Sequence, residues 1–592
     1  MIKISVIIPT YNRRHILERT LPGVLTQDFP SQDYEVIVVM DGSTDGTSEM
    51  LRDLKPTCCL RVLESQHRGA GAARNVGIRA AAGELVLFLD DDLITTPDLL
   101  RQHCASHSGV DPCAVQGRMY IAPDSSQTII RNVIERIGDS YYRNISPSIN
   151  LRFPEGMSSV YVLSYLVNGS VPRDALIRCG GFDEKFLAAE ELDLGLRLWK
   201  MGLSFRYQPS AIVYEYYEKS SVSYLQSQAR ALGAGDLRAS RKHHEYRRYC
   251  GLSTWAERNA GKRWISKALT SLPTSPIPLM SLPLRMEKSF YRFATIRKFA
   301  SRFLNWNETV AHLEGALGVA GSWKVLQDEF DRRCPSLLYH HIGPTRPGSH
   351  HDLTVSPQRF ERQIRWLARS GYTGIKPSDW LNWIRNGKSL PAKPVLLTFD
   401  DAYADTAEYA LPILRKYGFS AAVFVVTERL GGTNTWDEAQ GRRTLQLMTA
   451  EQVQYWATQE IEFGAHSRTH QHLTRLSASD LEAEVIGCKS DLTALLGYPP
   501  VSFAYPYGEY SEAVCDLVRR EFDIAFSVEE GLNYLSGDPH LLRRAYVGPN
   551  DSLLEFDLSA RRGGIRKLRN WRIKLAVRTR LKRMLGISSS NP

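Results

Sequence analysis

The sequence is poor in the features that would make it a disulfide scaffold, a metal-thiolate protein or a membrane-spanning one. Its nine cysteines are an odd number among 592 residues, scattered from Cys58 to Cys515, and none forms a C-x-x-C pair. That pattern excludes a disulfide framework or a zinc-thiolate site and fits a reducing compartment. Long apolar runs are also missing. The most apolar uncharged stretch, residues 268–284, carries Pro273, Pro276, Pro278 and Pro283, which a spanning helix would not tolerate. The N-terminus offers no signal peptide; Ile4, Val6, Ile7 and Ile8 before Pro9 read as a strand. Internal repeats are absent, and low complexity is confined to Ser588, Ser589 and Ser590. The expectation is a cytoplasmic protein. Its basic segments offer attachment to the inner face of the cell membrane.

What is present is an ordinary globular composition, 43% hydrophobic and 23% charged, long enough for several domains. The net charge of +10 is unevenly placed. Residues 561–592 hold 11 Lys and Arg and no acid, and residues 226–305 hold 16 against 4 acids, so the bulk of the chain is net acidic. In the tail, Ile565, Leu568, Trp571, Leu575, Leu581 and Leu585 recur at helical spacing among the basic residues, the pattern of an interfacial amphipathic helix. An anionic membrane surface is the expected partner of both basic segments; no nucleic-acid partner is expected, since no nucleic-acid motif accompanies them.

Two stretches show short β-branched runs bounded by turn residues and separated by helical spacing, the signature of α/β folds with parallel sheets. In the first, the runs at residues 5–8, 34–40 and 85–89 each end in a polar cluster. In the second, strand-like runs fall at 336–339, 394–398, 421–426, 462–465 and 502–505, with helices at 357–370 and 478–496. The expected organisation is an α/β domain over residues 1–220, a basic helical linker over 221–334, a second α/β domain over 335–558 and a basic amphipathic tail over 559–592.

Asp90, Asp91 and Asp92 close a strand together. Three adjacent carboxylates raise one another's pKa unless a positive charge sits among them, and a divalent cation would supply it. The alternative is an acidic helix start. Around them stand Pro9-Thr10-Tyr11-Asn12, Asp41-Gly42-Ser43, Gly69-Ala70-Gly71 through Arg74, Gly180-Gly181-Phe182-Asp183 and Glu190-Glu191-Leu192-Asp193. In this order the pieces resemble the family 2 glycosyltransferases, whose fold is the Rossmann-like GT-A domain. The resemblance implies that Pro9, Tyr11, Asp41, Arg74, Asp90 and Asp91 bind a nucleotide diphosphate sugar, most simply a UDP-sugar. It implies that Asp92 contacts Mg²⁺ or Mn²⁺. Glu191 would be the catalytic base that deprotonates an acceptor hydroxyl, with Glu190 as its rival for that role. Arg197 reads as a surface i,i+4 partner of Asp193.

The second constellation begins with Asp400-Asp401 after an apolar run. His466 and His470 follow at i,i+4, which on a helical turn would share one face. Two histidines and a carboxylate make a three-ligand metal site with room for water. With Phe503-Ala504-Tyr505-Pro506-Tyr507-Gly508, these residues resemble the polysaccharide deacetylases of carbohydrate esterase family 4, whose fold is a distorted (β/α) barrel. The resemblance implies that Asp401, His466 and His470 bind Zn²⁺ or another divalent transition metal, that Asp400 is the general base and that the Tyr507 backbone N–H supports the oxyanion. The late Leu-x-His-Asp of the commonest pattern is missing, which leaves His340, in Leu338-Tyr339-His340-His341, as the expected acid. Ala402 stands where Gly is common, and Arg543 or Arg544 is left to orient Asp400. His472 reads as a bystander.

Together these readings describe a bifunctional sugar enzyme of cell-surface polysaccharide biosynthesis. It would transfer a sugar with inversion to a glycan or lipid-linked acceptor and remove an acetyl group from an N-acetylhexosamine unit. The alternative is an active transferase whose C-terminal domain only binds glycan.

Overall fold

The computed structural model describes residues 2–109, 111–123, 166–186, 188–216, 222–256, 265–268, 270, 309–344, 353–440 and 444–564. The chain divides into two compact units, Met1–Trp323 and Lys324–Pro592. The proline-rich stretch and the tail beyond Gly564 lie outside the described residues.

In the first unit the strands are β1 (Ile4–Thr10), β2 (Tyr34–Asp41), β3 (Cys59–Ser65), β4 (Leu85–Phe88), β5 (Leu93–Thr95), β6 (Cys113–Ile121), β7 (Gly169–Pro172) and β8 (Ser204–Glu215). They form one sheet in the order β3-β2-β1-β4-β7-β6-β8-β5. Every residue of β1 and β2 is buried, as their unbroken apolar runs require of strands covered on both faces. β3, β2, β1 and β4 are parallel, as the patterning predicts. Beyond them the sheet is mixed, because β7 runs antiparallel to both β4 and β6. The helix Ala70–Ala80 packs closely on β1: a Cβ at Gly77 would lie 2.5 Å from Ile7. Register pairs Thr10 with Met40 and Ile7 with Phe88, so the residues after β1, β2 and β4 emerge along one edge. That edge is where ligands bind in open α/β sheets.

The helix Val222–Lys242 belongs to this unit, and polar anchors tie it there. Asp193 is fully buried and accepts from Lys242 (2.7 Å), His243 (2.8 Å) and Arg197 (2.8 Å). Arg197 also donates to the carbonyls of Cys179 and Gly181. The Asp193–Arg197 pair is therefore not the surface pair expected from its spacing. It is a buried junction, because a neighbouring helix covers it.

The second unit holds β9 (Ser336–Tyr339), β10 (His341–Ile342), β11 (Thr354–Val355), β12 (Thr373–Ile375), β13 (Pro394–Phe399), β14 (Ala421–Val425), β15 (Ile461–Ala465), β16 (Ser502–Ala504), β17 (Ile524–Phe526) and β18 (Ala545–Tyr546). The main sheet runs β17-β16-β15-β14-β13-β9-β18, with β12 beside the start of β13, and every pairing is parallel. One segment curls it into the distorted barrel. Leu542 bridges to Phe526 of β17, and three residues later Ala545 pairs with Leu337 of β9. The short stretch between spans the two open edges, with Arg544 in its middle. The large core includes Leu337, Tyr339, Phe360, Val395, Leu397, Phe399 and Phe503.

Candidate functional site

The two units present separate sites, each at the carboxyl ends of its strands. In the first, Asp90, Asp91 and Asp92 follow β4, and the positive charge they need comes from two arginines. Arg13 bridges Asp91 (2.5 Å) and Asp92 (2.9 Å). Arg74, only 3% exposed, reaches Asp90 (2.7 Å), Glu191 (3.0 Å) and Glu190 (3.3 Å). Two guanidiniums thus take the neutralising role expected of a divalent cation. Arg74, expected beside a nucleotide, is instead enclosed by three carboxylates.

Five carboxylates still face two guanidiniums, and the excess negative charge suits a divalent cation. Their oxygens do not converge, however: among the described residues the one tight metal-ligand group lies in the other unit. Burial pushes Asp91 up to about 7, with Arg13 opposing the shift. Burial and the neighbouring Glu190 raise Glu191 likewise to about 7, against the pull of Arg74. An acid tuned there is suited to take and release a proton near neutrality.

Asp41 is buried at the end of β2 and accepts the backbone N–H groups of Arg68 (3.0 Å) and Gly69 (2.9 Å). It thereby shapes the loop that starts the helix Ala70–Ala80. His67 of that loop lies against Asp41 (3.0 Å) and stacks on the exposed ring of Tyr11, with centroids 3.9 Å apart. Pro9 sits within β1, buried opposite Val39.

In the second unit the strand register builds the site directly. Tyr339 pairs with Phe399, and Ala465 pairs with both Val425 and Phe503. The next residues, His340, Asp400 and His466, therefore leave β9, β13 and β15 at one edge of the sheet. Asp401, His466 and His470 are buried, and their ligand atoms lie within 4.8 Å of one another. Asp401 Oδ1 is 3.4 Å from His466 Nε2 and 3.2 Å from His470 Nε2, buried, with no hydrogen bond of its own. An orphaned carboxylate oxygen facing two ring nitrogens fits a metal ion between them. His466 Nδ1 lies 2.7 Å from the Ala504 carbonyl, which fixes the tautomer that leaves Nε2 for the metal. Burial would push Asp401 up, but His470 and His466 outweigh it and hold the carboxyl well below its ordinary value.

The two histidines are not on a helical turn, as their spacing suggested. They lie on a loop after β15 in which Ser467 and His470 both have positive φ. Glu484, from the helix Ala478–Leu496, stabilises that loop by accepting the N–H groups of Arg468 and Thr469. Asp401, Ala402 and Tyr507 also have positive φ, so five strained non-glycine residues gather at this site.

Asp400 is gripped by Arg544, which donates at 2.6 and 2.9 Å, is wholly buried and also donates to the Ser527 carbonyl. Burial alone would raise Asp400; Arg544 and the histidines overcome it and keep the carboxylate ionised. Of the two arginines left open by the sequence, Arg544 enters the site, while the Arg543 backbone pairs with Asn533. His340 faces the ring of Tyr546 at 6.5 Å, and burial lowers its pKa. The Tyr507 ring packs edge-on to His470 (4.5 Å) and flat against His472 (4.0 Å). His472 is paired with Glu509 (2.9 Å). Trp436 stacks on His470 at 4.5 Å.

Sequence reasoning missed Arg13, His67, Glu484 and Trp436. Arg13 could have been found by asking which nearby cation answers the three aspartates. Trp436 sits in a short 3-10 helix, Thr435–Gln440, with no motif.

These features define a class: a chain with an open α/β domain that gathers carboxylates at its strand ends and a distorted barrel with a candidate metal site. The comparisons agree. Residues 5–165 match the model of glycosyl transferase family 2, and residues 387–521 match that of polysaccharide deacetylase, so the chain carries both domains. It is 31% identical over 224 residues to validoxylamine A glucosyltransferase of Streptomyces hygroscopicus subsp. jinggangensis, a match covering 34% of this chain and 52% of that one. It is 25% identical over 228 residues to YxkH of Bacillus subtilis, a polysaccharide deacetylase by name, covering 38% of this chain and 76% of that one. The solved deacetylase PplD of Streptococcus pyogenes aligns at 25% identity over 38% of this chain and 95% of its own, with a TM-score of 0.34. The chain spans about half the length of the glucosyltransferase it matches. No helix among the described residues is long and apolar enough to cross a membrane.

Proposed function

We propose that the chain is a bifunctional glycan-modifying enzyme of cell-surface polysaccharide synthesis. Its N-terminal domain transfers a sugar with inversion from a nucleotide diphosphate sugar to a glycan or lipid-linked acceptor. Its C-terminal domain hydrolyses the acetamide of an N-acetylhexosamine unit. The observation that carries this reading is the ionised Asp400, held by Arg544 beside the converging Asp401, His466 and His470. A glycan-binding module has no need of a buried, charge-held base.

In transfer, Glu191 takes the proton of the acceptor hydroxyl as that oxygen attacks the anomeric carbon. Arg74 holds Glu190 and Glu191 in place. Tyr11 and the loop shaped by Asp41 receive the nucleoside, and Asp92 would hold Mg²⁺ or Mn²⁺, which offsets charge on the departing diphosphate.

In deacetylation, Asp401, His466 and His470 would hold zinc or another divalent transition metal, which polarises the acetamide carbonyl and acidifies a water molecule. Asp400 removes a proton from the attacking water, whose oxygen bonds to the acetamide carbon as the carbon–nitrogen bond breaks. The Tyr507 backbone N–H donates to the oxygen that gains negative charge. His340 delivers a proton to the leaving amine, and acetate and a free amino sugar result.

The basic segments at 226–305 and 561–592 would hold the protein on the cytoplasmic membrane surface, near a lipid-linked acceptor. The test is incubation of the purified chain with nucleotide sugars, acceptor and Mn²⁺, following nucleoside diphosphate and acetate together. Release of both supports the reading. Nucleoside diphosphate without acetate, across a panel of N-acetylhexosamine acceptors, removes the hydrolase half.

A further inference from the structure

Arg13 stands among the carboxylates at the end of β4, where a divalent cation was expected. The chain leaves β1 at Thr10 and turns through Asn12, which has φ +48. That left-handed turn is held from outside: Thr44 N–H donates to Asn12 Oδ1 (2.7 Å), and Asn12 N–H donates to Ser43 Oγ (3.1 Å). The turn throws the Arg13 side chain across to the end of β4. There Nη1 and Nη2 take one carboxylate each, from Asp91 and Asp92. Asp91 is fixed further by Thr10, whose Oγ1 donates to its second oxygen (2.8 Å), and by Thr20, whose hydroxyl donates to its backbone carbonyl. Thr10 and Thr20 thus hold Asp91 independently of Arg13. Asp92 sits at the outer end of the bridge, and the Arg13 side chain remains 23% exposed. Arg13 can therefore swing away from Asp92 without dismantling Asp91.

We infer that Arg13 is a built-in counter-ion that a divalent cation displaces from Asp92, and that the released guanidinium then pairs with the donor's diphosphate. The inference rests on the nucleotide-sugar reading of this domain. The exchange keeps Asp92 paired with positive charge: a divalent cation replaces a monovalent one there, and the displaced guanidinium gains a new anionic partner suited to its fork of donors. Metal and donor binding become coupled as a consequence. Metal alone must compete with Arg13, whereas metal arriving with a diphosphate gives Arg13 somewhere to go.

The test is Mn²⁺ binding to the full-length protein without nucleotide, read by the paramagnetic signal of free Mn²⁺. Arg13→Gln should bind Mn²⁺ about tenfold more tightly at one site, as expected from removing a competing charge in a partly buried setting. Adding Asp92→Ala to Arg13→Gln should abolish that gain, which separates this site from the one at Asp401. Adding UDP should tighten Mn²⁺ binding to the unaltered protein more than to Arg13→Gln. Arg13→Lys, which keeps the charge but loses the two-pronged grip, should fall between and serves if the Gln variant does not fold. Unchanged or weaker Mn²⁺ binding in both Arg13 variants would overturn the inference, as would a gain that survives Asp92→Ala. Failure of the transferase reading is seen separately, as no nucleoside diphosphate release from the unaltered chain.

Discussion

Arg544 and Asp400 meet through two parallel hydrogen bonds of 2.6 and 2.9 Å, across 144 residues of sequence, with the guanidinium wholly buried. The rings of Phe424 and Phe526 lie within 6 Å of it. A buried carboxylate stays ionised only with such a partner. Replacing Arg544 with Ala should therefore lower acetate release roughly 10–100-fold, as losses behind a site's reacting groups commonly do. Arg544 lowers the Asp400 pKa, so its loss raises it, and the acid limb of the pH–rate profile should move to higher pH. Arg544→Lys should rescue poorly, because a point charge cannot reproduce the fork. A profile that does not move would show that Arg544 serves packing alone.

The two sites should be separable by substitution. Asp400→Asn should abolish acetate release and leave nucleoside diphosphate release intact, and Asp92→Ala should do the reverse. Loss of both activities in either variant, with circular dichroism unchanged, would contradict two independent centres.

Transfer should depend on pH through Glu191. Its pKa is raised to about 7, so the basic form grows as pH rises through that value. Below it, kcat/KM should fall about tenfold per pH unit if one proton is involved. Glu191→Gln should remove the dependence together with nearly all activity, measured as nucleoside diphosphate release across pH 5 to 9.

Chelation should silence acetate release through a defined set of ligands. Dialysis against a chelator should end acetate release, and zinc should restore it to the unaltered chain. Variants His466→Ala and His470→Ala should retain less than stoichiometric metal by elemental analysis. Stoichiometric metal in both would place the ion elsewhere.

Ala402, at φ +52, occupies a conformation that glycine adopts without cost. Ala402→Gly should stabilise the second unit by about 1 kcal/mol, from relieved left-handed strain less the backbone entropy glycine loses. Differential scanning calorimetry of the full chain checks this as an upward shift of one transition.

Asp193 makes the opposite case. Burial raises its pKa, but His243, Lys242 and Arg197 prevail and hold it low. The stability it contributes is therefore complete above the ordinary aspartate range and lost as pH falls below it. Asp193→Ala would leave those cations without their acceptor. It should cost about 3–5 kcal/mol, the usual penalty for breaking a buried pair, seen as a lowered unfolding midpoint of the first unit.

Much of this protein was legible in local sequence. The expected strand at residues 336–339 and helix at 478–496 are those observed, as β9 and as Ala478–Leu496. The acids that follow β4 and β13 announce themselves because a buried parallel strand must be apolar to its end, and its polar continuation then lies at the ligand edge. These signals need only neighbours in the chain, and they sufficed to set the α/β class and both families. What tertiary structure alone decided is which charge answers which. Arg13 reaches Asp91 from 78 residues away and Arg74 reaches Glu190 from 116. The antiparallel β7, the helix that buries Asp193, and the closing segment that carries Arg544 all depend on strand order and register. The stretch from His466 to His470 is a loop, held by Glu484 of the following helix, which accepts the N–H groups of Arg468 and Thr469 between them. Periodicity and turn chemistry act over a few residues. The pairing of buried charges is settled only when the sheet brings separate strand ends together and excludes water from between them.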